Sequence, residues 1–213
     1  MKHILPFLKQ VGKLKDIKRQ GILYYGFKNA DSAADHVFRL ATMVWIFGTG
    51  KKLDVGKAFK LAIVHDLCKV YTGDITPYEG MIPKGSKNKY KLAWRWRRLS
   101  LKEKEKRYQE KYTREYGAMK KLVANLPVRV KTEIMDIWLD YQKMGSPEAK
   151  FVFQLDRAEN LLEALECWQK DKRFPTLPWW EHADQVVGDK EILSLMEEIS
   201  MAEVSRRGKK GKK

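Results

Sequence analysis

No apolar stretch in these 213 residues approaches the roughly 18 needed to cross a bilayer. The opening Met1-Lys-His-Ile-Leu-Pro-Phe7 meets charge too soon for a secretory leader. The expectation is a cytoplasmic protein with no membrane partner. Cysteine is scarce: Cys68 and Cys167 are distant in sequence, too few for a disulfide framework, and read as reduced thiols, with Cys68 a packing residue. No internal repeat and no Gly/Ser linker divides the chain. Acid is also in short supply, with 27 Asp and Glu against 43 Lys and Arg, a net charge of +16. Nearly all of that excess lies in two places. Residues 84–107 carry eleven Lys/Arg against two Glu, and Arg206-Arg-Gly-Lys-Lys-Gly-Lys-Lys213 has six cations and no acid. The tail lacks apolar residues and should be disordered, attracting polyanions without specificity.

Hydrophobic content of 44% with 11% aromatics indicates a folded globular core, and the length suits one domain. Apolar residues recur at three- and four-residue steps, as at Phe151, Leu155, Ala158, Leu162 and Leu165. The spacing predicts helices over about 3–18, 32–49, 54–70, 99–125, 127–143, 147–170 and 189–205. Asp31-Ser32 with Asp35, and Ser146-Pro147-Glu148, mark helix starts. Thr72 to Asn88 and Asp171 to Gly188 read as loops, the second holding Trp179-Trp180 in a packing role. No segment alternates long enough to argue for a sheet. The fold class is all-α, a single-domain helical bundle over residues 1–205, with a basic aromatic insert at about 81–107 and the tail at 206–213.

Inside that pattern, His65 and Asp66 sit side by side in Leu61-Ala-Ile-Val-His-Asp-Leu-Cys-Lys-Val70, where apolar residues belong. A carboxylate in an apolar setting needs a partner, and a metal ion is the strongest. His36 and Asp156 occupy similar apolar helical contexts. A lone histidine there would usually be a satisfied core residue; four ligand-type residues on three helices read as a mononuclear divalent-metal site. Two imidazoles and two carboxylates suit Mn, Co, Fe, Mg or Zn alike in a catalytic role. Adjacent helical residues point about 100° apart, so both His65 and Asp66 must lean toward the ion.

Four segments in order resemble the HD-domain metal-dependent phosphohydrolase superfamily, and within it the 5′-deoxynucleotidase branch. They are Leu14-Lys-Asp-Ile-Lys-Arg-Gln-Gly21, Asp31-Ser-Ala-Ala-Asp-His36, His65-Asp-Leu-Cys-Lys-Val-Tyr-Thr-Gly-Asp-Ile-Thr-Pro77 and Ser146-Pro-Glu-Ala-Lys-Phe-Val-Phe-Gln-Leu-Asp156. The resemblance implies an HD-type bundle with His36, His65, Asp66 and Asp156 as metal ligands. It implies Arg19 as the phosphate-holding residue and Asp74 at the pocket near the sugar or the attacking water. The implied activity removes phosphate from nucleoside 5′-monophosphates, deoxynucleotides first, and the implied assembly is a homodimer.

One position departs from the family pattern. Three residues after Asp66 the family usually places a glutamate involved in catalysis; this chain has Lys69. A glutamate can accept a proton and a lysine ammonium cannot, so Lys69 either neutralises a phosphate or acts as a base with a strongly depressed pKa. Glu79, in the following loop, could supply the missing carboxylate. The alternative to the enzyme is therefore a catalytically weakened HD protein that binds nucleotide or nucleic acid without turnover. A third reading keeps the chemistry on a phosphodiester or a hyperphosphorylated nucleotide. The insert, with Tyr90, Trp94 and Trp96 among cations, has three readings: a lid or phosphate funnel, a helix extension that packs its tryptophans, or a platform for nonspecific single-stranded nucleic acid.

Overall fold

Local signals open most of the long helices. In the computed structural model, which describes residues 3–81 and 95–208 (side chains to 204), the chain begins with α1 (Ile4–Val11), a 3₁₀ turn (Gly12–Asp16) and α2 (Gln20–Leu23). Then come α3 (Ala33–Gly48), α4 (Val55–Val64) and α5 (Lys69–Thr72). After the segment that includes most of the insert follow α6 (Leu101–Val123), α7 (Val128–Lys143), α8 (Pro147–Lys170), α9 (Leu177–Asp184) and α10 (Lys190–Gly208). Tyr90, Trp94 and residues 209–213 of the basic tail lie outside the described residues.

Ser32 caps α3: its Oγ accepts from Asp35 N at 3.2 Å while Asp35 accepts from Ser32 N at 2.7 Å. Ser100 and Glu103 repeat this reciprocal box on α6. Ser146 Oγ accepts from Ala149 N at 3.1 Å at the start of α8, with Pro147 in the first turn where its missing N–H costs nothing. Each cap contributes about 1 kcal/mol.

α8 runs through the middle of the bundle. Leu155, Ala158, Leu161 and Ala164 on it are fully buried against Leu40 and Val44 of α3, Ala58, Leu61 and Ala62 of α4, and Ile192 of α10. A fully buried leucine of this kind contributes roughly 1.5–3 kcal/mol. A smaller cluster joins Leu67, Cys68 and Val70 to Met119 and Leu122 of α6 and Trp138 of α7. Both cysteines are free and buried, as a packing role requires. The result is the expected all-α bundle: among the described residues the sole β pairing is one isolated bridge, Lys18 with Ser32.

Three elements differ from their expected form. The helix expected over 3–18 gives way to the 3₁₀ turn at Gly12. The helix expected over 54–70 stops at Val64, and the chain passes through shorter-range bonds, Leu67 N to Val64 O and Lys69 N to Asp66 O, both 3.1 Å, before α5. The segment expected as loop, Asp171 to Gly188, contains α9. Its helix is held from outside: Trp180 Nε1 donates to Glu203 at 3.1 Å and Thr176 Oγ1 donates to the same carboxylate at 2.8 Å.

Candidate metal centre and its adjoining pocket

The α3 cap sets His36 one turn into its helix, where it is 1% exposed. Its Nδ1 hydrogen-bonds Glu159 of α8, and Arg39 Nε holds the other oxygen of that glutamate at 2.8 Å. His65 closes α4, and its Nδ1 donates to Ala62 O at 2.8 Å. With both Nδ1 atoms engaged, each ring turns its Nε2 toward the shared space, the nitrogen an ion would take. Those two Nε2 atoms face each other at 3.3 Å. Asp156 Oδ1 joins them at 3.3 Å from His36 Nε2, and Asp66 Oδ2 stands 3.4 and 3.8 Å from His65 and His36 Nε2. His36, His65 and Asp156 are buried and their ligand atoms lie within 4.8 Å of one another.

Acceptors crowded together in a buried space repel unless a cation sits among them. The surroundings carry the mark of that demand. Burial and Arg19 both favour neutral His36, yet Glu159 and Asp156 outweigh them and raise its pKa to about 9. Asp66 Oδ2 is buried without a well-formed hydrogen bond, although the Lys69 ammonium is 2.6 Å away. An imidazole–carboxylate donor set of this kind, with Asp66 Oδ2 between the imidazoles and the Lys69 ammonium, fits a divalent ion. The helix break after Val64 brings His65 and Asp66 to one side, the lean that a continuous helix would have denied them.

Arg19 enters from the strand-like segment pinned by the Lys18–Ser32 bridge, with Arg19 N donating to Asp31 O at 3.0 Å. Its Nη2 donates to Asn160 Oδ1, its Nε lies 3.5 Å from Glu163 and its Nη1 3.6 Å from Asp66. Burial disfavours the guanidinium charge, but Asp74 and Glu163, followed by Glu159 and Asp66, more than offset it. Asn160 also donates to Asp156 Oδ1 at 2.8 Å, so one amide ties this arginine to a member of the acceptor cluster. Tyr141 donates to Asp156 Oδ2 at 2.9 Å.

Lys69 is 6% exposed and bridges Asp66 Oδ2 and Asp74 Oδ1 at 2.6 Å each. Burial pulls its pKa down, the two carboxylates push it further up, and the net is above the ordinary lysine value. It is therefore an ammonium, and the depressed-pKa base considered for it is not what the structure shows. Asp74 reaches the pocket because Gly73 turns the chain at φ +69° with ψ −176°, a conformation open to glycine and hostile to a Cβ. Both Asp74 oxygens are engaged, Oδ1 by Lys69 and Oδ2 by Gln20 N at 2.6 Å. Glu79 does not join them. It is exposed, accepts from Arg114 Nη1 at 2.5 Å and stands outside the cavity lining.

Arg19, His65, Asp66, Lys69, Asp74 and Asp156 form the inner end of a cavity of about 530 Å³. Its outer part is lined by Tyr25, Tyr78, Trp96, Phe153, Trp179 and His182. Sequence reasoning missed Glu159, Asn160 and Glu163. With Asp156 they form a polar stripe at i, i+3, i+4 and i+7 on a helix whose other buried residues are apolar, and that spacing was the available signal.

A family described as HD domain matches residues 11–178. The 5′-deoxynucleotidase HDDC2 of Xenopus laevis is 33% identical over 172 residues, covering 81% of this chain and 73% of that protein. The 5′-deoxynucleotidase HDDC2 of Homo sapiens is 33% identical over 165 residues, 78% of this chain and 68% of that one. A crystal structure of a predicted metal-dependent phosphohydrolase from Magnetospirillum magnetotacticum aligns with TM-score 0.64 at 20% identity, covering 97% of this chain and 96% of the other. At that identity the structural match speaks for the fold.

Proposed function

Since the chain belongs to the HD-domain family, we propose that it is a metal-dependent 5′-deoxynucleotidase, releasing inorganic phosphate from deoxynucleoside 5′-monophosphates. The observation that carries the reading is the buried convergence of two imidazole Nε2 atoms, 3.3 Å apart, with Asp156, beside the charged guanidinium of Arg19. The alternative of a binding protein without turnover is not favoured, because the relatives are named as nucleotidases.

His36, His65, Asp66 and Asp156 are the residues that would hold the ion, one of Mn, Co, Fe, Mg or Zn. Such an ion supplies Lewis-acid activation of water and of the phosphate. Arg19 and Lys69 both reach Asp66 and so flank the place where phosphate oxygens arrive; their fixed charges offset the charge developing there. Asp74 clamps Lys69 to the backbone of Gln20 and thereby sets the spacing of the two cations. Water attacks phosphorus, the P–O5′ bond breaks, and the proton the water gives up goes to O5′, so that the deoxynucleoside leaves as the alcohol and phosphate keeps the hydroxyl. The acidic residue at the usual glutamate position is absent, so turnover is expected to be altered by Lys69. Glu79, exposed and paired with Arg114, is not assigned a part.

No helix among the described residues is long and apolar enough to cross a membrane. A cytoplasmic homodimer remains part of the reading, and the exposed Phe38, Trp45 and Ile46 on α3 are the apolar surface that pairing would cover. Nonspecific nucleic-acid contact through the insert and tail is a weaker companion, supported by charge alone. The domain spans residues 1–205, with its insert at 81–107 and the tail beyond.

The test is phosphate release from deoxy- and ribonucleoside monophosphates with Mn²⁺ or Co²⁺, for the natural protein and for Lys69→Glu. Release that EDTA abolishes supports the reading. No hydrolysis from either protein overturns it.

A further inference from the structure

The outer half of the cavity has a chemistry the inner half does not use. Tyr78 Oη and His182 Nε2 lie 3.0 Å apart, and the two rings are parallel to within 7°, with centroids separated by 6.3 Å. Parallel and joined by that hydrogen bond, they offer a ligand more aromatic area than a single side chain does. Trp96 stands almost perpendicular to Tyr78, 82° at 4.8 Å, and is itself braced by Tyr108 at 5.7 Å. Trp96 is 9% exposed although it comes from the basic insert. The charged groups on this rim are already matched, Arg97 with Glu181. What the space offers a ligand is aromatic area with two hydrogen-bonding tips. Flat, polar-edged heterocycles suit such a surface, whereas a bare sugar would gain little from it.

We propose that Tyr78, His182 and Trp96 form a subsite for the heterocyclic base of the substrate, so that this chain selects nucleotides over base-free sugar phosphates. The inference rests on the nucleotidase reading of the inner end, which supplies the phosphate anchor. It also gives the insert a defined part: its Trp96 walls the cavity. Burial makes the His182 ring neutral by lowering its pKa, so it can accept from the Tyr78 hydroxyl while its other nitrogen serves as donor.

The experiment compares kcat/KM for the four common deoxynucleoside monophosphates with that for deoxyribose 5-phosphate, which keeps phosphate and sugar but has no base. The natural protein should prefer the nucleotides by roughly tenfold or more, the size of one base–aromatic stack. Tyr78→Ala and Trp96→Ala should each erase most of that ratio, through KM. Equal turnover of both substrate types by the natural protein overturns the subsite. So does an equal proportional loss on both substrates in variants that melt at the natural temperature. A measurement independent of turnover uses deoxyadenosine, which has no phosphate. Saturable quenching of tryptophan fluorescence, weakened in Tyr78→Ala, is expected, and its absence in the natural protein also counts against the subsite. Saturable quenching without phosphate release from any substrate supports the base site and overturns the nucleotidase reading, so the two failures are distinguishable.

Discussion

The two ends of one cavity are built by opposite means. At the inner end every side chain is tied to at least one other: His36 to Glu159, His65 to Ala62, Asp156 to Tyr141 and Asn160, Lys69 to two carboxylates. His36, Asp156, Glu159 and Asn160 come from long, capped helices, and His65 and Lys69 from the turn and short helix that follow α4. At the outer end the aromatic rings touch edge to face, and their supports are a short helix, the end of the insert and the Thr76–Tyr78 turn. The lesson is one of tolerance. Charge development on a phosphate rewards groups that cannot reorganise. Stacking accepts any π face at small cost in geometry. On the proposed reading, chemistry falls to the end held by charges and hydrogen bonds, and recognition to the end built of rings.

The sharpest break in that contrast is His65→Ala. It should remove more than the ~100-fold that marks the upper range for a supporting partner, and should do so for nucleotides and deoxyribose 5-phosphate alike. Phosphate-release assays on both substrates check it, and a loss confined to nucleotides would contradict the division of labour. Next in size is Glu159→Gln. It leaves a hydrogen bond to His36 but removes the charge that fixes the ring and matches Arg39, so metal affinity should fall about 10–100-fold by calorimetric titration. Retention of full affinity would mean that the imidazole is oriented by packing alone.

The smallest effect belongs to a position away from the cavity, Asp140. Its carboxylate accepts from Ser146 N and Oγ at 2.9 and 2.7 Å and pairs with Lys57 at 2.8 Å. Burial opposes ionisation there, but Lys57 and Ser146 outweigh it and hold the pKa below the ordinary aspartate value. A group depressed on folding stabilises the protein above its unfolded pKa, and that contribution fades as pH falls through the folded value. Asp140→Asn should therefore cost about 1 kcal/mol near neutrality and less in strong acid, seen as a shallower acid limb in melting temperature against pH. Its selectivity between nucleotide and sugar phosphate should match that of the natural protein.

The amino-acid sequence by itself determined the helical class, because 3.6-residue periodicity and the Ser32, Ser100 and Ser146 caps are local properties. It also marked His36, His65, Asp66 and Asp156 as anomalous, since charge at an apolar position is costly wherever the chain folds. Tertiary structure alone decided the rest. The break after Val64 has no Gly or Pro to announce it, and it shows only in the shorter-range bonds of the folded chain. α9 depends on Glu203, 23 and 27 residues along from its partners Trp180 and Thr176, and no local window contains that bond. Lys69 shows the difference most plainly. Its place three residues after Asp66 suggested either a base or a cation, and two carboxylates at 2.6 Å chose the cation, because a buried charge takes its protonation from its neighbours and not from its name.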